Sequence, residues 1–278
     1  MSFRQIFLIF SLIPLSAAAH AAELCGQLRQ GEILTGAAAP ETRVILNGGS
    51  EFVSGKDGRF LLAFGRDEKA DSEITFINGN HSSVSHKLTV AGGNWDIQNI
   101  KGIPPRKVTP SDADLRDIEI EQKLLRAALA TKDDTPYWEK GFVLPVEGRI
   151  SGRFGGQRIM NGVKRNPHAG TDIAAQEGTP VKASSDGIVV LAAPDLFYSG
   201  NVVVIDHGFG LHTIYAHLKE IHAARGDKVR QGDIIGLVGQ TGRATGPHLH
   251  WGAALNGTKF RPASLLNINN SDDFCFTL

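Results

Sequence analysis

Three short stretches in the C-terminal half of the chain carry the residue types of a metal-dependent hydrolase. The first contains His248 and His250, the second His168 and Asp172, and the third His217. Together they supply four imidazoles and one carboxylate, which are donor groups that zinc accepts in catalytic sites. This set predicts metal-assisted hydrolysis, provided that the surrounding elements bring the five groups together.

Two of the stretches have the spacing of strands. Residues two apart on a strand face the same side, so His248 and His250 are expected to line one cavity. Both need not bind one ion, and we expect one ligand beside one neighbouring or catalytic imidazole. The same alternation predicts that Tyr215 and His217 share a face. His212 then points to the opposite face and is predicted to be structural.

The second stretch needs a bend. On an extended strand, His168 and Asp172 would lie roughly 13 Å apart, too far to share an ion. Pro167 and Gly170 disfavour a helix, so we expect a bend at positions 169–170 to bring the two side chains together. Two histidines and an aspartate with an open fourth position form a catalytic zinc pattern, because a structural zinc site is closed by four protein ligands.

The other histidines are predicted to have no role in the chemistry. His81 and His86 lie singly on polar strands, and His207 and His222 lie at turns. We expect all four to be exposed.

Composition excludes some partners. The 278 residues contain 29 Lys and Arg against 29 Asp and Glu. A net charge near zero gives no electrostatic footprint for nucleic acid or for an anionic membrane surface. Glycine, at 32 residues, is enriched, and long apolar helical runs are scarce. Both features favour a mostly β protein rich in turns.

The first 21 residues read as a signal peptide. Arg4 provides a positive charge, Ile6–Leu15 is an apolar run too short to span a bilayer, and cleavage is expected before Ala22. An uncleaved anchor is the alternative, and lipidation of Cys25 is disfavoured by the residues before it. Export favours pairing of Cys25 with Cys275, although two free thiols stay open. We expect a secreted, periplasmic protein without stable membrane insertion after signal cleavage.

The remaining chain divides into four parts. Residues 22–103 show short strands with regularly spaced turns and predict a small β-sandwich, either a spacer, a docking module or an inhibitory cover. Residues 104–141 are a linker with a helix at about 110–131. Residues 142–266 are glycine-punctuated antiparallel strands, expected to form a partly open barrel or sandwich with a groove. Residues 267–278 are a C-terminal tail.

The linker helix has a recognisable start and an apolar face. Thr109 is the expected N-cap, because a proline follows it in the first turn. Leu115, Ile118, Leu125 and Leu129 recur at helical spacing and are expected to pack on a neighbouring domain.

Residues 142–266 resemble the lysostaphin/LytM family of zinc peptidases, which cut peptidoglycan cross-bridges. The resemblance rests on the segments 151–155 (SGRFG), 168–172 (HAGTD), 215–218 (YAHL), 238–242 (VGQTG) and 248–250 (HLH). It implies a β-rich catalytic domain with a groove and one Zn²⁺ per chain. By motif position it makes His168, Asp172 and His250 the metal ligands, and His217 and His248 the catalytic imidazoles.

The resemblance also implies a substrate. Peptidoglycan stem peptides are the expected partner, and the D-Ala–meso-diaminopimelate bond is the expected target, with a glycine bridge as the alternative. A non-catalytic activator of cell-wall amidases is a competing function, which predicts broken motifs. A purely structural metal domain is a third possibility, disfavoured by the open ligand position.

Overall fold

A computed structural model of the chain describes residues 22–79, 81–269 and 275–278. The predicted signal peptide lies outside these ranges. The first strands are β1 (Glu23–Cys25), β2 (Ile33–Ala37), β3 (Arg43–Leu46), β4 (Ser50–Val53), β5 (Arg59–Ala63), β6 (Asp71–Ile77), β7 (Ser83–Thr89) and β8 (Ile97–Ile100). Two helices, α1 (Pro105–Val108) and α2 (Asp112–Ala128), and a 3₁₀ turn (Tyr137–Lys140) follow.

The second half of the chain is built from strands. They are β9 (Arg149–Gly152), β10 (Gln157–Met160), β11 (Val163–Lys164), β12 (Gly170–Ala174), β13 (Pro180–Lys182), β14 (Gly187–Leu196), β15 (Gly200–Asp206), β16 (Leu211–Ile221), β17 (Lys228–Val229), β18 (Ile234–Val238), β19 (His248–Leu255), β20 (Thr258–Phe260) and β21 (Cys275–Thr277). A 3₁₀ turn occupies Pro262–Asn267. The mostly β fold predicted from the sequence is confirmed.

The N-terminal strands form two four-stranded sheets. One has the order β21-β1-β2-β5 and the other β4-β3-β6-β7. Alternation explains the packing, since Ser72, Ile74 and Phe76 of β6 are buried while their neighbours are more exposed. The C-terminal strand β21 completes the first sheet, and a disulfide joins Cys25 of β1 to Cys275 of β21.

The linker helix differs from the expectation at its start and on its buried face. Ser111, not Thr109, is the N-cap, and Asp114 completes a capping box with it. Leu115 is 52% exposed, so the predicted apolar stripe is wrong at that position. The face of α2 that packs on the protein contains two carboxylates among the apolar residues: Asp114, Ile118, Glu121 and Ala128.

The C-terminal strands form one large antiparallel sheet. Its order is β17-β14-β15-β16-β19-β12-β9, with β13, β18 and β20 attached at its sides. Alternate residues of β19 face away from the histidines, and Leu249 and Trp251 are fully buried. They share one apolar core with Phe60 and Phe64 of the N-terminal domain. The N-terminal domain therefore packs against the side of β19 opposite His248 and His250.

A second connection joins the two halves of the chain. Strand β8 pairs in parallel with β10, and β10 pairs with β11 in a small three-stranded sheet. This sheet places the segment before the linker beside the end of β9 and the bend that carries His168. Within the described ranges, none of the helices has the length and apolar character needed to cross a membrane.

Candidate metal and catalytic site

Three of the predicted side chains converge on one point. His168 Nε2 lies 3.0 Å from Asp172 Oδ1, and His250 Nδ1 lies 2.9 Å from the same oxygen. The two imidazole nitrogens are themselves 3.0 Å apart. Two nitrogens and one oxygen thus form a nearly equilateral triangle. Among the described residues, this trio is one of the groups whose donor atoms could hold a metal ion.

The sheet register and two glycines create this triangle. Asp172 of β12 is paired directly with His250 of β19, and His168 reaches the same point from the bend before β12. A Cβ atom on Gly152 would lie 2.6 Å from Asp172 Oδ2, and one on Gly170 would lie 2.7 Å from His250 Nε2. Both distances are too short for nonbonded atoms, so glycine is required at both positions. The bend predicted from the sequence is present.

The two remaining predicted side chains lie beside the triangle. His248 Nε2 is 3.8 Å from Asp172 Oδ1. The ring centroid of His217 lies 4.8 Å from that of His248 and 5.9 Å from that of His250. All five predicted groups therefore occupy one site, and His248 and His250 share a face as their spacing predicted.

Backbone carbonyls define the tautomers of three imidazoles. A carbonyl oxygen only accepts hydrogen bonds, so the ring nitrogen facing it carries the proton and the other ring nitrogen keeps a lone pair. In each case Nδ1–H donates and Nε2 is left to face the site. The pairs are His168 with Arg153 O at 3.0 Å, His217 with Thr241 O at 2.8 Å, and His248 with Gly246 O at 2.8 Å.

Burial dominates the electrostatics of the site. Desolvation lowers the pKa of His168 to about 4, although Asp172 opposes this effect. Burial likewise lowers the pKa of His217 and of His250. For Asp172, burial alone would raise the pKa, but the hydrogen bonds and charges of His168 and His250 outweigh it and lower the pKa well below its usual value. Burial therefore favours the neutral imidazoles of His168, His217 and His250 beside an ionised Asp172.

Arg158 is a site residue that the sequence analysis missed. Its guanidinium on β10 donates to Asp172 Oδ2, and the two side chains are only 14% and 10% exposed. This contact occupies one carboxylate oxygen and leaves Oδ1 to the imidazoles. No motif flagged Arg158, because its partner lies on another strand and only the fold brings them together.

The backbone at His217 departs from a regular strand. Its φ is 64°, in the left-handed region that residues with a Cβ atom seldom adopt, and the pairing of β16 shifts register around it. Tyr215 faces the core, where its hydroxyl accepts from the backbone N–H of Ser184 at 2.9 Å, while His217 faces the site. The prediction that Tyr215 and His217 share a face is therefore wrong.

The other histidines give a mixed outcome. His207 is fully buried, donates Nδ1–H to the carbonyl of Asp186 at 2.6 Å, and contacts Thr213 Oγ1 through Nε2 at 2.7 Å. Its predicted exposure is wrong, because the turn that follows β15 folds inward. His222 is exposed and His212 is buried in structural contacts, both as predicted.

The donor set fits a zinc ion. Zinc bonds of about 2.0–2.1 Å in a tetrahedral arrangement place neighbouring donors roughly 3.3–3.4 Å apart, close to the triangle of 2.9–3.0 Å formed by His168, Asp172 and His250. The outward nitrogen of His168 is fixed by a carbonyl and Asp172 by Arg158, which are the supporting contacts that metal ligands use. Three protein donors leave a fourth position open.

Two imidazoles and a carboxylate brought together on a β-sheet, with further imidazoles beside them, are an arrangement typical of a metallopeptidase. Residues 166–262 match Peptidase family M23, and this range includes all five side chains. The C-terminal domain is therefore a peptidase family M23 domain, which confirms the resemblance stated from the motifs.

Curated relatives share this part of the chain. The DD-carboxypeptidase/endopeptidase Mpg of Neisseria meningitidis serogroup B is 49% identical over 98 residues, which are 35% of this chain and 22% of Mpg. The peptidoglycan DD-endopeptidase ShyA of Vibrio cholerae serotype O1 is 46% identical over 219 residues, 75% of this chain and 45% of ShyA. The chain thus spans less than half the length of these relatives.

One solved structure matches most of the chain. A crystal structure from Pseudomonas aeruginosa, described as a peptidase M23, has a TM-score of 0.69 and 26% sequence identity. The match covers 87% of this chain and 96% of that one. The similarity therefore extends beyond the M23 domain to the N-terminal β domain and the linker.

Proposed function

We propose that this protein is an exported, zinc-dependent endopeptidase that cleaves peptide cross-links of bacterial peptidoglycan in the periplasm. The observation that carries the proposal is the triangle of His168, Asp172 and His250 with donor atoms 2.9–3.0 Å apart. Two more imidazoles lie beside it, each with a lone pair on Nε2. A purely structural metal site would not require the additional imidazoles of His217 and His248.

The mechanism follows from which atoms face the triangle. A bound zinc ion supplies Lewis-acid activation of water and of the scissile carbonyl. His168, Asp172 and His250 would hold the ion, and Arg158, bound to Asp172 Oδ2, would keep Oδ1 free for it. His248 Nε2, 3.8 Å from Asp172 Oδ1, is placed to take a proton from the attacking water.

The second imidazole completes the proton transfers. His217 lies against His248, with ring centroids 4.8 Å apart. One of the two removes the proton from water, and the other stabilises the developing oxyanion or protonates the leaving amine. Both imidazoles are anchored through Nδ1–H, so neither can turn away when Nε2 changes its protonation state.

The substrate and location are supported by the relatives and by the chain's N-terminus. ShyA is named a peptidoglycan DD-endopeptidase, which favours the D-Ala–meso-diaminopimelate bond over a glycine bridge. The predicted signal peptide at 1–21 and the Cys25–Cys275 disulfide both fit an oxidising, extracytoplasmic compartment. A non-catalytic amidase activator predicts lost ligands, whereas all five groups are present.

Metal content and muropeptide release test the proposal together. Purified protein is analysed for zinc and incubated with isolated sacculi, and the products are separated and their cleaved bonds identified, with and without a chelator. We expect one zinc per chain and the disappearance of dimers joined by the D-Ala–meso-diaminopimelate bond. The chelator should prevent this cleavage. A metal-loaded protein that leaves every cross-link intact would refute the proposal, and cleavage confined to glycine bridges would refute the substrate.

Three single variants separate the assigned roles. His250→Ala should lose zinc and activity together, whereas His248→Ala should lose turnover by about 10²-fold or more yet keep its zinc. His222→Ala, at an exposed histidine outside the site, is the matched control and should behave as the parent. Loss of zinc from His248→Ala would contradict the division between ligands and catalytic imidazoles.

A further inference from the structure

A buried carboxylate connects the linker helix to the loop between β14 and β15. Glu121 of α2 is only 3% exposed, although it carries a charged group. Its Oε2 accepts from the backbone N–H of Tyr198 at 2.7 Å, and its Oε1 accepts from the N–H and the hydroxyl of Ser199 at 3.0 and 2.6 Å. Both carboxylate oxygens are thus used to hold one short loop.

The same loop holds His217. The carbonyl oxygen of Ser199 accepts from the backbone N–H of His217 at 2.8 Å. Thr241, whose carbonyl accepts from His217 Nδ1–H, also accepts through its hydroxyl oxygen from the backbone N–H of Asn201 at 3.0 Å. The loop is tied once more to this neighbourhood by Arg243, whose backbone N–H donates to Tyr198 O at 2.9 Å. Segments 198–201 and 241–243 therefore enclose His217 from two sides.

His217 needs this enclosure because its backbone is strained. A non-glycine residue in the left-handed region is sterically disfavoured and persists only when its surroundings fix it. The hydrogen bond from the His217 N–H to Ser199 supplies that constraint on the backbone, and Thr241 supplies it on the ring. If the loop shifted, the imidazole would lose its place beside His248.

Side chains of the linker helix α1 contact the β14–β15 loop at a second point. The ammonium group of Lys107, in α1, lies 3.8 Å from the ring centroid of Phe197, and the guanidinium of Arg106 lies 5.5 Å from it. Lys107 Nζ also donates to the carbonyl of Phe197 at 2.5 Å. Three consecutive loop residues, 197–199, are thus bound by side chains of the two linker helices.

We propose that Glu121 is a positioning residue for His217, so that the linker helix α2 belongs to the catalytic unit and is not a passive spacer. Glu121 fixes the loop at Tyr198 and Ser199, and the loop fixes the left-handed backbone that turns His217 toward the metal site. The catalytic meaning of this contact rests on the proposed peptidase function, whereas the control of the position of His217 does not.

The test compares Glu121→Ala and Glu121→Gln with Glu119→Ala. Glu119 lies on the exposed side of the same helix and controls for loss of a helical carboxylate. Zinc content is expected to stay at the parent value in all three, because Glu121 touches no ligand. In Glu121→Ala, kcat on a cross-linked muropeptide should fall about 10- to 100-fold, the cost of a displaced catalytic group, with KM changed less than threefold.

The conservative variant supplies the second part of the test. Gln keeps one acceptor oxygen for Ser199 but presents an amide NH₂ to the N–H of Tyr198. Glu121→Gln should therefore recover part of the lost kcat. If Glu121→Ala does not fold, Glu121→Gln, which keeps the shape, decides the question through the same measurements.

A readout independent of activity is the imidazole ¹⁵N spectrum of the zinc-loaded protein, together with hydrogen exchange of the His217 amide. Glu121 variants should shift the His217 ring signals and speed exchange of its amide, while the His168 and His250 signals stay in place. Unchanged His217 signals and unchanged kcat in a folded Glu121 variant would overturn the proposal. A parent protein that cuts no cross-link, but whose His217 signals respond to Glu121, would refute the peptidase function alone.

Discussion

Tyr215 and His217 belong to one short motif, yet the structure predicts opposite consequences for their loss. Tyr215 is fully buried in the core behind the sheet. Its hydroxyl accepts from the Ser184 N–H at 2.9 Å, and it lies 2.9 Å from Thr213 Oγ1 and 2.8 Å from Ser184 Oγ. Tyr215→Phe removes this hydroxyl and leaves the ring in place.

The cost follows from the groups left behind. The buried backbone N–H of Ser184 would lose its acceptor, at about 1–3 kcal/mol. Thr213 can still use its contact with His207 Nε2 at 2.7 Å, so its loss is smaller. We expect Tyr215→Phe to lower the free energy of unfolding by about 2–3 kcal/mol, which is roughly 5–10 °C in Tm for a chain of this size.

The assay is urea unfolding together with zinc content and turnover. Tyr215→Phe should lose stability but keep its zinc and a kcat within about twofold, because Tyr215 does not reach the site. His217→Ala should show the reverse in activity: kcat lower by about 10²-fold or more and zinc retained. Alanine keeps the Cβ atom, so the left-handed backbone stays as strained as in the parent. A Tyr215→Phe variant of full stability but tenfold lower kcat would refute the assignment of the two residues to opposite faces.

Three further predictions concern other parts of the chain. Gly152→Ala should weaken zinc binding at least tenfold, because the added Cβ atom would lie 2.6 Å from Asp172 Oδ2. Competition with a chelator measures this affinity, and an unchanged value would contradict the steric argument. Replacing Cys25 and Cys275 by Ser removes a cross-link spanning 250 residues and should lower the free energy of unfolding by about 3–5 kcal/mol, with zinc affinity unchanged; equal denaturant midpoints would refute it. Burial lowers the pKa of His207 to about 4, below its value in the unfolded chain, so the buried neutral ring contributes fully to the free energy of unfolding above about pH 6.5. That contribution falls by about 1.4 kcal/mol per pH unit as the pH is lowered toward 4. His207→Gln should therefore lose less unfolding free energy than the parent as the pH falls, and an identical pH slope would count against this account.

Two matched variants control these measurements. A Cβ atom on Gly92 would meet nothing within 4 Å, so Gly92→Ala should leave zinc affinity unchanged. His81 is exposed, and His81→Gln controls for the replacement of a histidine by glutamine. A response from either control would indicate a general effect of substitution.

The sequence predicted the site well where only local geometry was needed. Alternation along a strand placed His248 and His250 on one face, and the residues between His168 and Asp172 required a bend. Local reasoning failed at His217, because alternation assumes a regular strand and the register shift depends on hydrogen bonds to Ser199 and Thr241, which come from two other segments.

The linker shows a similar limit. Its apolar periodicity correctly located a helix, but the packed face contains Asp114 and Glu121 and leaves Leu115 exposed. A carboxylate three residues after Ile118, inside the apolar stripe, is a signal that could have been followed. Its partners, the N–H groups of a distant loop, carry no side-chain signature and could not have been predicted.

Residue types at short, fixed spacing were enough to predict the candidate metal ligands, the mostly β fold and the family of the C-terminal domain. The tertiary structure decided which oxygen of Asp172 faces the imidazoles, which way His217 turns and what holds it there. Those choices depend on contacts between residues such as Arg158 and Asp172, or Glu121 and Ser199, that lie far apart in sequence. Only packing of the whole sheet against the linker brings them together.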